Sequence, residues 1–397
     1  MKKFQLPYGV QDFLPDECYN KELVEKKLAQ SFYLSGYDKV ETSTLEYYDL
    51  FDGILPASAI NKMFKMTDSD GSLLVLRPDI TLQICRMAAG NLDVDRTRRL
   101  YYLENSFEFL SDNSTSRTRE FAQVGVELFG KTGIEGDIEI ILTAINALKA
   151  AGLKDFLIDI GNLDYFGGLA QECGLKPDDA SLIRDYINNK DSLGLELFLE
   201  ERGTEKKFRD ALLALPTLFG KENVLERAEE LCSNARSKKA VQDLKKIVAA
   251  VRECGLSEYI SIDLGILNGN YYSGLVMRAV AKDLGVSILD GGRYDSLCGK
   301  FGYDIEAVGF AIGTKRLLRA LEKQGATATK KPCDIAYIQL KSFCKEEYDF
   351  VQNAKKSGKR VEKVYLKTKE ELIAYCLGGG VREAVVFNGK KFESVQV

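Results

Sequence analysis

The stretch Tyr101–Gly130, YYLENSFEFLSDNSTSRTREFAQVGVELFG, decides how the rest of the chain is read. Its second half, FAQVGVELF, alternates with the two-residue period of an extended strand. Ala122, Val124, Val126 and Leu128 fall on one face, which is wholly apolar and must be covered. Phe121, Gln123, Gly125, Glu127 and Phe129 fall on the other. Gly125 has no side chain and is expected to leave room between Gln123 and Glu127 for a small ligand resting on the sheet. A carboxylate accepts hydrogen bonds from an ammonium or imidazolium, and an amide both donates and accepts. A half-solvated strand with a polar outer face has the same pattern, so alternation alone leaves both readings open.

Upstream of this stretch, Tyr19, Leu23, Val24, Leu28, Phe32 and Leu34 recur at helical spacing, with Gly36 as a stop. Residues 62–76 read as a hairpin around SDGS. At 77–86, RPDITLQICR, a strand gives way to a helix, with Pro78 and Asp79 suited to its first turn. Arg99–Leu103 reads as a strand and SDNSTSRT, 111–118, as a polar loop. Downstream, Glu135–Ala151 is an amphipathic helix stopped by Gly152, and Phe156–Gly161 is a strand. Residues from about 165 to 255 show helical patterns and no strand, as a helical insertion would. Strands are expected at Tyr259–Leu264, Tyr271–Ala281, Gly285–Leu289 and Ala307–Ile312, a turn at Gly291–Asp295, and a helix opened by Gly313. Residues 322–332, EKQGATATKKP, form a linker between a core of 1–321 and a small α/β domain at 333–397. The latter alternates β-α-β-α-β, which predicts a mostly parallel sheet. The fold class is α+β.

Bulk composition narrows the chemistry. The 397 residues suffice for two or three domains, and 45% hydrophobic content supports a sizeable core. The net charge of −4 marks no polyanion-binding surface. Residues 330–397 nevertheless hold 14 Lys/Arg and 9 Asp/Glu, a net of +5 against −9 for the rest. Nine scattered cysteines without a C-x-x-C read as free thiols of a reducing cytoplasm, not as a zinc site or disulfide framework. The first residues, MKKFQLPYGVQDFLPDE, lack the apolar run of a signal peptide, and no segment approaches the ~18 apolar residues of a membrane span. The chain contains no histidine. Ser-His and Cys-His nucleophiles, histidine general bases and histidine metal ligands are therefore excluded. No metal or cofactor is expected.

Four further patches can bear a ligand: 77–86, Tyr271–Tyr272, Gly291–Asp295 and Gly309–Arg316. Asp79 and Thr81 suit ligand contact or plain helix-start chemistry equally. Tyrosine hydroxyls donate to small polar ligands, and a glycine pair permits close backbone approach. Cations at the start of the helix after Gly313 can hold a phosphate. None is decisive alone.

Together and in order, YGVQDFLP, TLEYYDLF, LLVLRPDITLQICR, REFAQVGVELFG, YYSGLV, GGRYD and AVGFAIGTKRL resemble the core of histidyl-tRNA synthetase, a class II aminoacyl-tRNA synthetase. The resemblance runs from about residue 4 to 320. It implies a six- or seven-stranded antiparallel sheet with flanking helices, a dimer, and a helical insertion. It implies an L-histidine pocket formed by Asp79, Thr81, Gln123, Glu127, Tyr271 and Tyr272, with Arg117, Arg119 and Arg316 as anion or nucleotide contacts.

The departures redirect the functional expectation. The second synthetase motif reads roughly Phe-Arg-x-Glu, and this chain has Phe107-Glu108-Phe109-Leu110. The arginine expected shortly before the paired tyrosines is missing from Leu267-Asn268-Gly269-Asn270, and the first-motif proline is absent from Thr42-Ser43-Thr44. Losing fixed cations beside a developing α-phosphate charge removes several kcal/mol of transition-state stabilisation, so adenylation is expected to be lost. A synthetase-like histidine pocket without these arginines is similar to a paralogous family, the regulatory subunits of ATP phosphoribosyltransferase. That resemblance implies a short-form catalytic phosphoribosyltransferase chain as partner, a hetero-octamer, and a role in activation and histidine feedback inhibition at the first step of histidine biosynthesis. The C-terminal domain is short for anticodon binding, so tRNA is not an expected partner, and neither is a membrane. The alternatives are an active histidyl-tRNA synthetase and an assembly scaffold that senses nothing. The absence of histidine would suit a chain needed when histidine is scarce; ordinary histidine content in its partner would contradict that hypothesis.

Overall fold

The computed structural model describes residues 6–91, 96–109, 118–267, 271–282, 284–340, 345–389 and 391–395. The chain divides into two compact units, Met1–Thr327 and Ala328–Val397.

In chain order the first unit contains α1 (Pro15–Leu34), β1 (Asp38–Lys39), β2 (Leu45–Tyr47), α2 (Ala57–Ile60), β3 (Lys65–Thr67), β4 (Leu73–Leu76), α3 (Thr81–Asn91), β5 (Arg98–Phe107), β6 (Glu120–Phe129), α4 (Gly133–Ala151) and β7 (Phe156–Asn162). There follow α5 (Leu163–Glu172), α6 (Pro177–Asn188), α7 (Ser192–Glu201), α8 (Lys206–Ala214), β8 (Phe219–Gly220), α9 (Asn223–Leu231), α10 (Ala235–Glu253), β9 (Ile260–Asp263), β10 (Leu275–Ala281), β11 (Ser287–Arg293), β12 (Ala307–Gly313) and α11 (Thr314–Lys323).

Its main sheet has the order β1-β5-β6-β12-β11-β10-β7-β9-β8. The six strands from β5 to β7 are antiparallel, as expected. The sheet as a whole is mixed and nine-stranded, because β1 joins β5 and β9 joins β7 in parallel. A parallel neighbour needs a long crossover, and between β7 and β9 the helices α5–α10 supply it. The helical insertion therefore connects two strands of the same sheet. It also contains one short strand, β8, which the sequence reading missed. The expected hairpin at 62–76 is β3–β4, and β2 adds to β4 to make a separate three-stranded sheet.

The turn expected at Gly291–Asp295 is not one. Gly291 and Gly292 sit inside β11 and pair with β10 on one side and β12 on the other. Their lack of side chains serves packing: a Cβ on Gly291 would lie 2.6 Å from the Phe310 Cβ, and one on Gly292 would lie 3.1 Å from the Tyr272 ring. The strand expected from Tyr271 begins at Leu275, so the paired tyrosines precede it. The 111–118 loop lies, apart from Thr118, outside the described residues, as do Arg117 and Asn268–Asn270.

From Val124 to Phe129 both faces of β6 are buried. Val124, Val126 and Leu128 join a core with Val24, Leu28 and Phe32 of α1 and with Ile140, Ile141, Ala144 and Leu148 of α4. Phe129, on the other face, packs with Tyr102, Val75, Ile80 and Tyr294. Each such side chain contributes ~1.5–3 kcal/mol on full burial. The half-solvated reading thus fails for this part of the strand, while Phe121 and Gln123 at its start are half-buried. Helix α1 starts at Pro15 with Asp16 and Glu17 in its first turn, and α4 ends on Gly152 at φ +105°.

The second unit contains β13 (Ile335–Gln339), α12 (Lys345–Lys356), β14 (Val361–Lys363), α13 (Lys369–Gly379), β15 (Glu383–Phe387) and β16 (Phe392–Val395). Its sheet runs β14-β13-β15-β16, with the first three parallel and β16 antiparallel at the edge. A reciprocal Thr368–Glu371 cap starts α13, and Gly380 at φ +67° ends it. Among the described residues, no helix is long and apolar enough to cross a membrane.

Candidate functional site

The site grows from one row of the sheet. Glu127 on β6 pairs with Gly309 on β12, which stands beside Gly292 on β11. Two glycines in a row leave a trough. The Glu127 carboxyl lies over Gly309, where a Cβ would fall 1.9 Å from its Oε2, and the Tyr272 ring lies over Gly292. Gly125 makes room as anticipated, but not for a ligand. Its register partner Tyr102 on β5 fills the space, with the ring 2.4 Å from where a Gly125 Cβ would be. A cross-strand ring thus occupies the place expected for a ligand.

The start of α3 meets this row. Asp79 accepts a hydrogen bond from the Leu82 amide at 2.8 Å, which caps the helix, and its second oxygen accepts from the Tyr271 hydroxyl at 2.8 Å. One Asp79 oxygen thus performs the helix-start chemistry, and the other joins the helix start to the tyrosine pair. Thr81 donates its hydroxyl to Glu127 Oε1 at 2.8 Å. Tyr294 donates to the other Glu127 oxygen. The Tyr271 ring stands edge-on to both Tyr272 and Tyr294, at centroid distances of 5.3 and 6.0 Å.

Arg77 fixes this helix start. It is buried and donates to the Asn105 carbonyl at 2.6 Å and the Thr42 carbonyl at 2.9 Å, and it pairs with Glu104 at 2.7 Å. Thr42, in the segment lacking the synthetase proline, donates its hydroxyl to Glu104 at 2.8 Å. The strand end that carries Pro78 and Asp79 is thereby tied to β5.

Burial without a cation governs the electrostatics of the two carboxyls. It pushes the Glu127 carboxyl up to about 8, against the hydrogen bonds from Tyr294 and Thr81, with the Asp79 charge adding to the rise. Burial raises Asp79 as well, opposed by the Leu82 amide and the Tyr271 hydroxyl. The phenols of Tyr102, Tyr271 and Tyr294 are all pushed up by burial and stay donors. Glu127 is therefore largely protonated near pH 7. A protonated carboxyl donates to a neutral imidazole, and the same group ionises if an ammonium or imidazolium arrives.

A cavity of about 850 Å³ opens beside these groups, bordered by Asp79, Tyr271, Tyr272, Arg278, Asp290 and Gly291 among others. Of the six residues expected to form the pocket, Asp79, Tyr271 and Tyr272 border it. Thr81 and Glu127 belong to the bonded cluster around Asp79 and Tyr271. Gln123 stands further along β6, where its amide oxygen accepts from Ser106 at 3.3 Å. Arg278 bridges Asp263 and Asp159 at 2.8 and 3.3 Å. Arg316 donates to the Ser287 carbonyl at 3.0 Å, at the rim of this cavity. Arg119 lies elsewhere, its guanidinium 5.1–5.9 Å from the ring centroids of Phe109, Tyr8 and Phe64. Glu108, in place of the motif arginine, pairs with Lys62 at 3.1 Å.

Sequence reasoning missed Tyr102, Tyr294 and Arg77. Tyr294 lay in the GGRYD patch without a role. Tyr102 becomes visible only through its register opposite Gly125. Among the described residues no group of acidic and cysteine side chains has the arrangement of a metal site.

Known proteins place this architecture. The family described as histidyl-tRNA synthetase matches residues 9–317. An ATP phosphoribosyltransferase regulatory subunit from Acetivibrio thermocellus is 38% identical over 365 residues, 91% of this chain and 86% of that protein. The crystal structure of an ATP phosphoribosyltransferase regulatory subunit/histidyl-tRNA synthetase from Bacillus halodurans superposes with a TM-score of 0.85 at 28% identity, covering 98% of this chain and 99% of that one. Histidyl-tRNA synthetase from Nostoc sp. PCC 7120 shares the fold at a TM-score of 0.80 and 21% identity, covering 100% and 97% of the two chains. The chain belongs to the family of ATP phosphoribosyltransferase regulatory subunits, non-catalytic proteins with a histidyl-tRNA synthetase-like fold.

Proposed function

We propose that this chain partners a short-form catalytic ATP phosphoribosyltransferase chain in the cytoplasm, activates it, and carries the L-histidine that inhibits it. The observation behind this reading is the cluster joining Asp79, Tyr271, Thr81, Glu127 and Tyr294 beside the 850 Å³ cavity. It offers two carboxyls and several phenolic donors to a small molecule bearing an ammonium and an imidazole. Tyr272 adds an aromatic wall, and Gln123 lies further along the same strand. Arg117 and Arg316 are the groups proposed to meet an anionic part of a ligand there, whereas Arg119 sits among Tyr8, Phe64 and Phe109 away from the cavity. The ion pair of Glu108 with Lys62 supports the loss of adenylation, because the arginine's position in the motif now carries a negative charge.

The ligand would act by binding one state of the complex better than another, since it shifts an equilibrium only by that difference. The assembly proposed is a dimer of this chain within a hetero-octamer. Calorimetric titration of the complex with L-histidine tests the pocket: Glu127→Ala is expected to abolish binding, and unchanged affinity would place the effector site elsewhere. Histidine-dependent ATP–pyrophosphate exchange would restore the synthetase reading. Unaltered histidine inhibition of a complex carrying the pocket variant would favour a scaffold.

A further inference from the structure

A second cavity lies on the opposite face of the sheet from the Glu127 cluster. Ala122, whose neighbour Gln123 is on the Glu127 face of β6 by strand alternation, lines it. Its volume is about 190 Å³, and Val10, Phe13 and Leu318 supply apolar wall. Lys21, Thr314 and Lys315 supply the polar side.

Thr314 is the informative residue. It is 1% exposed, and its hydroxyl is buried without a hydrogen-bond partner. Folded proteins rarely leave a buried hydroxyl unpaired, because its lost hydration goes uncompensated. Thr314 is also the first residue of the ten-residue helix α11, and its N-cap is Gly313, which offers no capping side chain. The first-turn amides carry the positive end of the helix dipole. Two ammonium groups stand nearby. Lys315 donates to Gln11 of the initial segment, and Lys21 lies 3.5 Å from Glu25. Burial and the neighbouring Arg319 hold Lys315 below its ordinary value, against the attraction of Glu17. The lining carboxylate, Glu120, is already engaged by the Asn105 amide at 2.7 Å.

We propose that this cavity is a small-anion site, in which the Thr314 hydroxyl, the start of α11, Lys315 and Lys21 receive a phosphate or a small carboxylate. The volume suits such a group and is too small for a nucleotide. Arg316 takes no part, since it is bonded to Ser287 at the rim of the first cavity.

Thermal unfolding of the full chain in sodium phosphate, sodium acetate and sodium chloride at matched ionic strength tests the assignment. Phosphate or acetate is expected to raise the melting temperature of the unaltered protein over chloride by about 2–4 °C. Thr314→Val, which keeps the side-chain shape, should melt no lower in chloride and should lose most of that rise. Lys315→Met should lose it too. A rise with phosphate alone identifies a phosphate ligand, and a rise with both admits carboxylates. Equal rises in the unaltered and Thr314→Val proteins would overturn the site, and so would the absence of any rise with either anion.

Discussion

The Tyr271 hydroxyl donates to Asp79 at 2.8 Å, across 192 residues of sequence. This bond ties the segment leading into β10 to the start of α3, so a wall of the candidate pocket depends on it. Tyr271→Phe removes the donor and leaves a half-buried carboxyl one bond short. The expected cost is about 1–3 kcal/mol, read as a lowered urea midpoint. Histidine affinity should fall with it, and a variant of unchanged stability would mean that Asp79 finds another donor.

Glu127 makes stability depend on pH. Its carboxyl ionises near 8 in the folded chain, against an ordinary value of 4.5. Between these values the folded state holds a proton that the unfolded state has lost. Stability from this group is therefore complete below about pH 4.5 and is lost as pH rises through about 8. Urea unfolding at about pH 5 and about pH 8 should show a decline on the order of a few kcal/mol. Glu127→Gln should flatten it. A residual slope is expected from Asp79, which burial also raises. The same decline in the variant would contradict the burial argument.

Gly125 tests the tight contact with Tyr102. A Cβ there meets the Tyr102 ring at 2.4 Å and the Phe310 carbonyl at 2.6 Å. Gly125→Ala should cost about 1–3 kcal/mol or more through overpacking. Adding Tyr102→Leu should recover only part of the loss, because the backbone carbonyl remains. Full recovery, measured by thermal unfolding, would show that the ring alone sets the constraint.

Arg77 and Glu104 form a buried pair, with side chains 6% and 4% exposed. Arg77→Met leaves Glu104 buried without its cation and is expected to cost about 3–5 kcal/mol. Replacing both, Arg77→Met with Glu104→Gln, should cost less than the single change. A double mutant as unstable as the summed single variants would deny any coupling.

The boundary between Thr327 and Ala328 falls within the stretch 322–332 that reads as a linker. Limited trypsin digestion is expected to cut after Lys330, since the bond from Lys331 to Pro332 resists trypsin, releasing a stable fragment of the first unit. Initial cleavage within 165–255 would contradict this.

Much of the architecture was legible because it depends on local chemistry. The alternation of 121–129, the apolar spacing along α1, the stop at Gly152 and the β-α-β-α-β rhythm after residue 333 are periodicities of two and 3.6, which any sequence displays openly. The motif order named the fold. The roles of Asp79, Thr81 and Glu127 were harder to read, since capping and ligand chemistry use the same residue types. The strand through Gly291 and Gly292 was read as a turn because glycine is ambiguous between a bend and a close approach.

By itself the sequence determined the family, the strand that carries Glu127, and the replacement of a motif arginine by Glu108. Only the tertiary structure decided what occupies the space above Gly125, which hydroxyls reach Glu127, and that burial raises this carboxyl. Those outcomes depend on register between strands distant in sequence and on how completely water is excluded, and neither is written in the local order of residues.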